Sequence, residues 1–346
     1  MVENMTRRVA ACLPAGAVLA GLSLALLGSL PGNTLAETRT IRVAKQLGIT
    51  YLPLMLMENR KLIEKHCQAA GLGEVQVEWA RFASGPVMND ALLSNTLDFA
   101  SGGVTPLVTI WAKTKGNLNV KGMSALSSMP QLLNSVNPRV KTVQDLTAAD
   151  KIALPAVKVS LQAVTLQMAA EQAFGAGKQG QLDAMTVSMD HAEGMAALLS
   201  GTEITAHFTS PPFSYQELEN PRVHTLLSSY DVLGGPATFT VVYTTQRYVD
   251  REPKAYQAVY AALEEAMRLI GQNRQDVAQE YLRSEKSKLS VEQVVRMLSD
   301  PQIRFSTTPS HTMKYAAFMQ RVGSIKQAPT DWKELFFPNV HALPGS

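Results

Sequence analysis

Serine, threonine and glycine residues recur where an extended, apolar stretch gives way to a helical one. Thr50-Tyr51, Ser84-Gly85, Ser101-Gly102-Gly103, Ser160 and Ser210 each stand at such a junction. A strand that runs directly into a helix leaves backbone N–H groups unpaired at the positive end of the helix dipole. Small residues let a ligand approach that backbone, and hydroxyls add donors. The chemistry on offer is therefore capture of an anion rather than the making of bonds. Each hydroxyl alone also fits an ordinary N-cap; it is the repetition on successive junctions that points to a site. The fullest example is Leu97 to Pro106, which reads as a short strand ending at Ala100, a small-residue turn, and a helix capped by Thr105 with Pro106 at its first position.

Other residues are candidates with a structural reading beside the functional one. His191 follows Asp190, which reads as a helix cap, and offers a donor to a ligand; Lys158, just ahead of Ser160, reads as a solvated lysine. His207 and Phe208 are neighbours in a strand, so one of the two faces inward. Tyr51, Met129, Phe208, Phe213 and Tyr215 supply either core packing or an apolar wall for a ligand's body.

The elements that must position these residues alternate along the chain. Strands are expected at 40–46, 74–80 and 97–100, each followed by a helix (53–70, 86–95 and one running to about Lys115), which points to a parallel sheet with crossover helices. Further strands are expected at 119–127, 131–136, 151–154, 185–189, 204–208, 222–228 and 238–244. Most of the remainder reads as helix by its apolar spacing. Ser127–Pro138 and Ser229–Pro236 bracket a middle section and contain the Pro and Gly of crossing segments. The expected organisation is residues 37–128 and 235–346 as one discontinuous lobe and residues 129–234 as a second, suited to hinge closure around a ligand.

The totals agree with a well-cored protein: 346 residues, 46% hydrophobic and 18% charged. Arg7 and Arg8 precede an apolar run to Leu30, and Thr34-Leu35-Ala36 offers a cleavage site, so residues 1–36 read as a signal peptide. Its removal takes Glu3, Arg7 and Arg8 and lowers the formal charge from +3 to +2. With no basic block, nucleic acid is not an expected partner. Removal also takes Cys12 and leaves Cys67 alone, which excludes an internal disulfide and a cysteine-based metal site in the mature chain. No Gly-x-Ser-x-Gly elbow, phosphate-binding lysine loop or His/Glu metal helix is present, so nothing argues for an enzyme, a metal or a cofactor.

Several ordered segments carry a resemblance: Val43 to Pro53, Asn95 to Gly103, Val143-Gln144-Asp145-Leu146 ahead of Lys151–Pro155, and Ala196 to Gly201 ahead of Ile204-Thr205-Ala206. With the exported N-terminus, they resemble the periplasmic substrate-binding proteins of ABC importers, of the nitrate/sulfonate/taurine and thiamine-precursor-like group. The resemblance implies an α/β, two-lobed Venus-flytrap fold, each lobe a mostly parallel sheet flanked by helices, with two crossover hinge segments. It implies a monomer in the periplasm that delivers a small anionic solute to an inner-membrane permease. Tyr51, Ser84, Gly85, Ser101, Gly102, Gly103, Met129, Ser160 and Phe208 would line the cleft, joined by Thr50, His191 and Ser210 from the reading of the residues themselves. The chain departs from the group at Val157–Ser160 and at Thr205–Phe213, both in the second lobe's share of the cleft. An enzyme of the same fold acting on a pyrimidine-type heterocycle, and a ligand sensor for a membrane receptor, are the alternatives.

Overall fold

The computed structural model describes residues 37–346, so the expected signal peptide at 1–36 lies outside the described residues. The chain runs β1 (Thr40–Lys45), a 3-10 turn at Ile49–Tyr51, α1 (Leu52–Asn59), α2 (Leu62–Ala69), β2 (Gln76–Arg81), α3 (Gly85–Leu93), β3 (Ala100–Gly103), α4 (Val104–Thr114) and β4 (Lys121–Ser128). It continues with β5 (Leu132–Ser135), β6 (Ile152–Leu154), α5 (Leu161–Phe174), β7 (Thr186–Ser188), α6 (His191–Ser200), β8 (Ala206–Thr209), α7 (Phe213–Leu218), β9 (His224–Ser228) and α8 (Ser229–Leu233). β10 (Thr238–Thr244) is followed only by helices: α9 (Gln246–Arg251), α10 (Pro253–Gln272), α11 (Arg274–Glu285), α12 (Val291–Ser299), α13 (Thr312–Arg321) and α14 (Trp332–Leu335).

Two sheets result. In the first, β3-β10-β4 are hydrogen-bonded in that order. The parallel pair β1-β2 joins them through a Val43–Phe99 bridge and the Ser101 hydroxyl, which donates to the Ala44 carbonyl at 2.6 Å. The second sheet has the order β7-β6-β8-β5-β9. Each is parallel but for one strand. β10 is antiparallel to both β3 and β4, and β5 is antiparallel to both β8 and β9. Each odd strand is the first one after the chain passes from one sheet to the other. The two passages, 129–131 and 234–237, are tied side by side where the Ser128 hydroxyl donates to the Ala237 carbonyl at 2.6 Å.

Local sequence explains most boundaries. In β1, Ile41 is buried between half-exposed Thr40 and Arg42, as alternation requires, and burial then becomes continuous from Val43 to Lys45 as the strand enters the interior. Pro53 and Pro253 open helices at positions that need no N–H. The helix expected over 53–70 is broken: Lys61 takes φ 50°, and Arg60 holds the corner by donating to Glu280 and Asp276 of α11. The crossing segment expected over 229–236 opens with α8, capped by Ser228 and ended by Gly234 at φ 72°. Burial follows the sheets. One large cluster packs around β1, β3, β4 and β10, and a smaller one around β5, β6 and β8. Among the described residues no helix is long and apolar enough to cross a membrane.

Candidate functional site

The ends of four helices meet at one cavity. It is lined by Gly85 and Pro86 of α3, Gly103 and Pro106 at α4, Ser160 and Leu161 at α5 and His191 of α6, with Gln46, Pro155, Gln162 and Phe239. Its volume is about 20 Å³, room for one water. No lining residue is an Arg, Lys, Asp or Glu.

The close fit comes from glycine. A Cβ on Gly103 would stand 2.9 Å from the Leu161 Cβ, and one on Gly85 would stand 2.8 Å from the Pro106 ring. Gly102 lies behind them, where a Cβ would meet the Gly85 Cα at 3.2 Å and the Tyr243 hydroxyl at 3.4 Å. Here the expected reading is corrected. Ala100 to Gly103 is the strand itself, and α4 starts at Val104 with no turn between them. The small residues answer close approach, not a bend. Thr105 is not the cap of α4; its hydroxyl donates to the Val159 carbonyl at 3.2 Å and so reaches across to the approach of α5.

The four tips differ in how their donors are used. Ser160 accepts from the Ala163 N–H at 3.2 Å and Asp190 from the Glu193 N–H at 2.8 Å, so α5 and α6 are capped by their own side chains. Ser84 and Gly103 provide no side-chain cap to α3 and α4. His191 turns Nδ1 to the Thr209 hydroxyl at 2.9 Å and stacks on Phe213. Burial, with His207 nearby, pushes its pKa down to about 3, so it adds no positive charge near neutral pH.

Of the twelve residues expected at the site, Gly85, Gly103, Ser160 and His191 line this cavity, and Ser84 and Gly102 stand directly behind it. The others are held elsewhere. Thr50 is buried in a triangle of hydroxyls with Ser127 at 2.5 Å and Thr240 at 3.0 Å. Ser101 serves the β1–β3 seam, and Met129 and Phe208 are core residues with no exposure. Ser210 is buried, its carbonyl accepting from the Ser214 N–H. Tyr51 is buried too, and burial raises its pKa; its hydroxyl accepts from Gln46 Nε2 at 2.6 Å and so orients a cavity residue from behind.

Sequence reasoning missed Gln46, Pro155, Leu161, Gln162 and Phe239. The signal for the first was its position one residue beyond β1, at the sheet edge where ligands collect in such folds. Just before it, Lys45 is buried and ion-paired with Glu58. His207 and Phe208 are both fully buried, because β8 lies inside the second sheet and is covered on both faces. His207 pairs through Nδ1 with Glu217 Oε1 at 2.5 Å, and Asn134 Nδ2 donates to Glu217 Oε2 at 2.9 Å.

Two sheets of matching order, each with one antiparallel strand and joined by two passages beside a shared cavity, define the periplasmic-binding-protein fold. Solved structures agree. The alkanesulfonate-binding protein SsuA from Xanthomonas axonopodis pv. citri, bound to MOPS, superposes with a TM-score of 0.67 at 19% identity, over 85% of this chain and 96% of that one. The periplasmic aliphatic sulphonate binding protein SsuA from Escherichia coli gives 0.63 at 20% identity, over 88% and 99%. The periplasmic nitrate-binding protein NrtA from Synechocystis PCC 6803 gives 0.66 at 18%, over 86% and 84%. Residues 36–282 match the NMT1-like family, and the chain belongs to it. No curated protein sequence matches this one.

Proposed function

We propose that this chain is the solute-binding component of an ABC-type importer. It captures a small anionic organic solute, of sulfonate or carboxylate type, and hands it to an inner-membrane permease. Residues 37–128 with 235–346 form one lobe and residues 129–234 the other. The protein works as a monomer in the periplasm, exported by residues 1–36.

One observation carries the reading: the first turns of four helices, two attached to each sheet, meet at a cavity lined without formal charge. An anion placed there is stabilised by helix dipoles and backbone N–H groups, with the Gln46 and Gln162 amides at hand. At about 20 Å³ the cavity is smaller than an organic acid, so capture requires the lobes to part and close again. Gly234 and Gly235, at φ 72° and 139°, give the second passage the backbone freedom of a hinge.

A thermal-shift screen of sulfonates, nitrate, aromatic carboxylates and pyrimidines, followed by small-angle scattering, tests this. At least one anion is expected to raise Tm and reduce the radius of gyration. No shift with any of them would sink the reading.

A further inference from the structure

Three helices of residues 129–234 face the rest of the chain, and each is attached to it differently. α5 is shared by both cores: Leu161 and Val164 join the large cluster, while Ala163, Leu166 and Ala170 join the smaller one. It is also bonded to α13. The buried hydroxyls of Thr165 and Tyr315 lie 3.1 Å apart, and Arg321 holds Glu171 through two bonds of 2.7 and 2.5 Å. α6 is attached least. Among the described residues no hydrogen bond joins it to anything outside 129–234, and it looks onto Leu47 and Gly48 across a space of about 540 Å³. α7 touches Gly48 through the Phe213 ring and is bridged to the α12 region by two polar bonds. The Tyr215 hydroxyl donates to the Asp300 carboxylate, just beyond α12, and Gln293 Nε2 of α12 donates to Glu219, just beyond α7, at 2.5 Å. Burial and the neighbouring Asp300 raise the Tyr215 pKa, so the phenol keeps the proton it donates. A further space of about 700 Å³ lies past this bridge, which therefore has open volume on both sides.

These attachments decide where the molecule can part. Pulling α5 away would bare apolar side chains of both cores and strip the Thr165 and Tyr315 hydroxyls of each other. Parting α6 and α7 from Leu47 and α12 breaks two hydrogen bonds whose four side chains are half-buried or exposed, so water can satisfy them. We infer that the two halves part along one edge only: α5 stays seated as the axle, the α6–α7 edge swings away from Leu47 and α12, and the bonds Tyr215–Asp300 and Gln293–Glu219 are the latch that this swing must break. None of the four latch residues lines the helix-tip cavity. They are positioning residues, which set the affinity of a site they do not touch by holding its two walls together. The cavity is reached from the same edge, since Gln46 and His191 in it adjoin Leu47 and Phe213 in the larger space.

This rests on the reading of capture by closure, and its test is made without solute so that the two can fail separately. Nitroxide pairs are placed on the purified protein at Glu203→Cys with Arg283→Cys, across the α6–α7 edge, and at Lys178→Cys with Gln320→Cys, across the α5–α13 edge. All four positions are exposed, and the native Cys67 is buried. Pulsed electron resonance reads the distance within each pair, and circular dichroism confirms the fold. Tyr215→Phe and Gln293→Ala each remove one bond to a carboxylate. Each is expected to raise the ratio of long to short distances at the 203/283 pair about tenfold, with the 178/320 distance unchanged. Arg321→Ala, which cuts a bond on the other edge, should move neither pair. Equal lengthening at both edges, failure of either latch variant to lengthen the first, or an effect of Arg321→Ala as large as theirs would overturn the inference and leave the anion site to its own screen. A one-edged swing in a protein that no anion stabilises would uphold the latch and overturn the anion site.

Discussion

The first sheet and the second follow one plan. Read across, β2-β1-β3-β10-β4 corresponds to β7-β6-β8-β5-β9, so α3 and α6 are equivalent, as are α4 and α7. The equivalents are finished differently. The tip of α6 is closed by the Asp190 carboxylate, and the tip of α5 by the Ser160 hydroxyl. The tips of α3 and α4 have Ser84 and Gly103 with no such bond. Glu217 of α7 pairs with the buried His207 of β8, whereas the first turn of α4 packs on glycine, Pro106 lying directly over Gly85. The second sheet uses its polar groups to hold itself together. The first keeps its helix ends bare and its backbone close. In an anion site the first sheet would therefore supply the donors and the second would supply the rigid opposing wall.

The largest test of this contrast is Glu217→Leu. It removes the carboxylate partner of His207 and Asn134 in a fully buried place and is expected to cost about 3–5 kcal/mol in urea unfolding. A loss under 1 kcal/mol would show that the pair does not hold the second sheet. Gly103→Val pushes a methyl group into Leu161 and is expected to cost about 1–3 kcal/mol, with a larger radius of gyration by scattering; an unchanged radius would mean that the junction tolerates bulk. Ser160→Ala should cost about 1 kcal/mol as a lost cap, whereas Ser84→Ala should stay within about 0.5 kcal/mol. Equal costs would erase the distinction between capped and bare tips.

A further effect of modest size concerns acid. His191 stays neutral in the folded state down to about pH 3, while the unfolded chain takes up its proton near pH 6.5. The unfolded state therefore binds more protons below that point, and stability falls as pH falls. From pH 7 to pH 6 this one group contributes about 0.7 kcal/mol. His191→Asn should remove that share of the pH dependence, and an identical slope in the variant would show that His191 does not titrate in this way.

Strand and helix positions were largely legible, because the apolar residues of β1, β4 and β10 are all buried and Pro opens several helices where it should. The β3 junction was not. Ala-Ser-Gly-Gly lacks strand-forming side chains, and only the approach of Gly85 and Leu161 explains why small residues form a strand there. Local pattern was equally silent on Lys61, whose left-handed turn is fixed by ion pairs to α11 more than 200 residues away. Candidate site residues were chosen by type. Hydroxyls at Thr50 and Ser101 proved to be bonded into the core, while Gln46 and Gln162, of unremarked type, line the cavity. Nor did any sequence repeat announce that the two sheets share one strand order, since that likeness lies in connectivity rather than in residue type.

The wedging of β10 between β3 and β4 has a consequence for synthesis on the ribosome. Everything needed for the second sheet lies between Leu132 and Ser228, so it can be assembled as soon as that stretch has emerged. The first sheet leaves the exit tunnel earlier, yet β3 and β4 have no strand between them until Thr238–Thr244 follows. The half of the protein that is translated first is thus the half that is finished last, and its open strand edges are what a chaperone would have to shield in the interval.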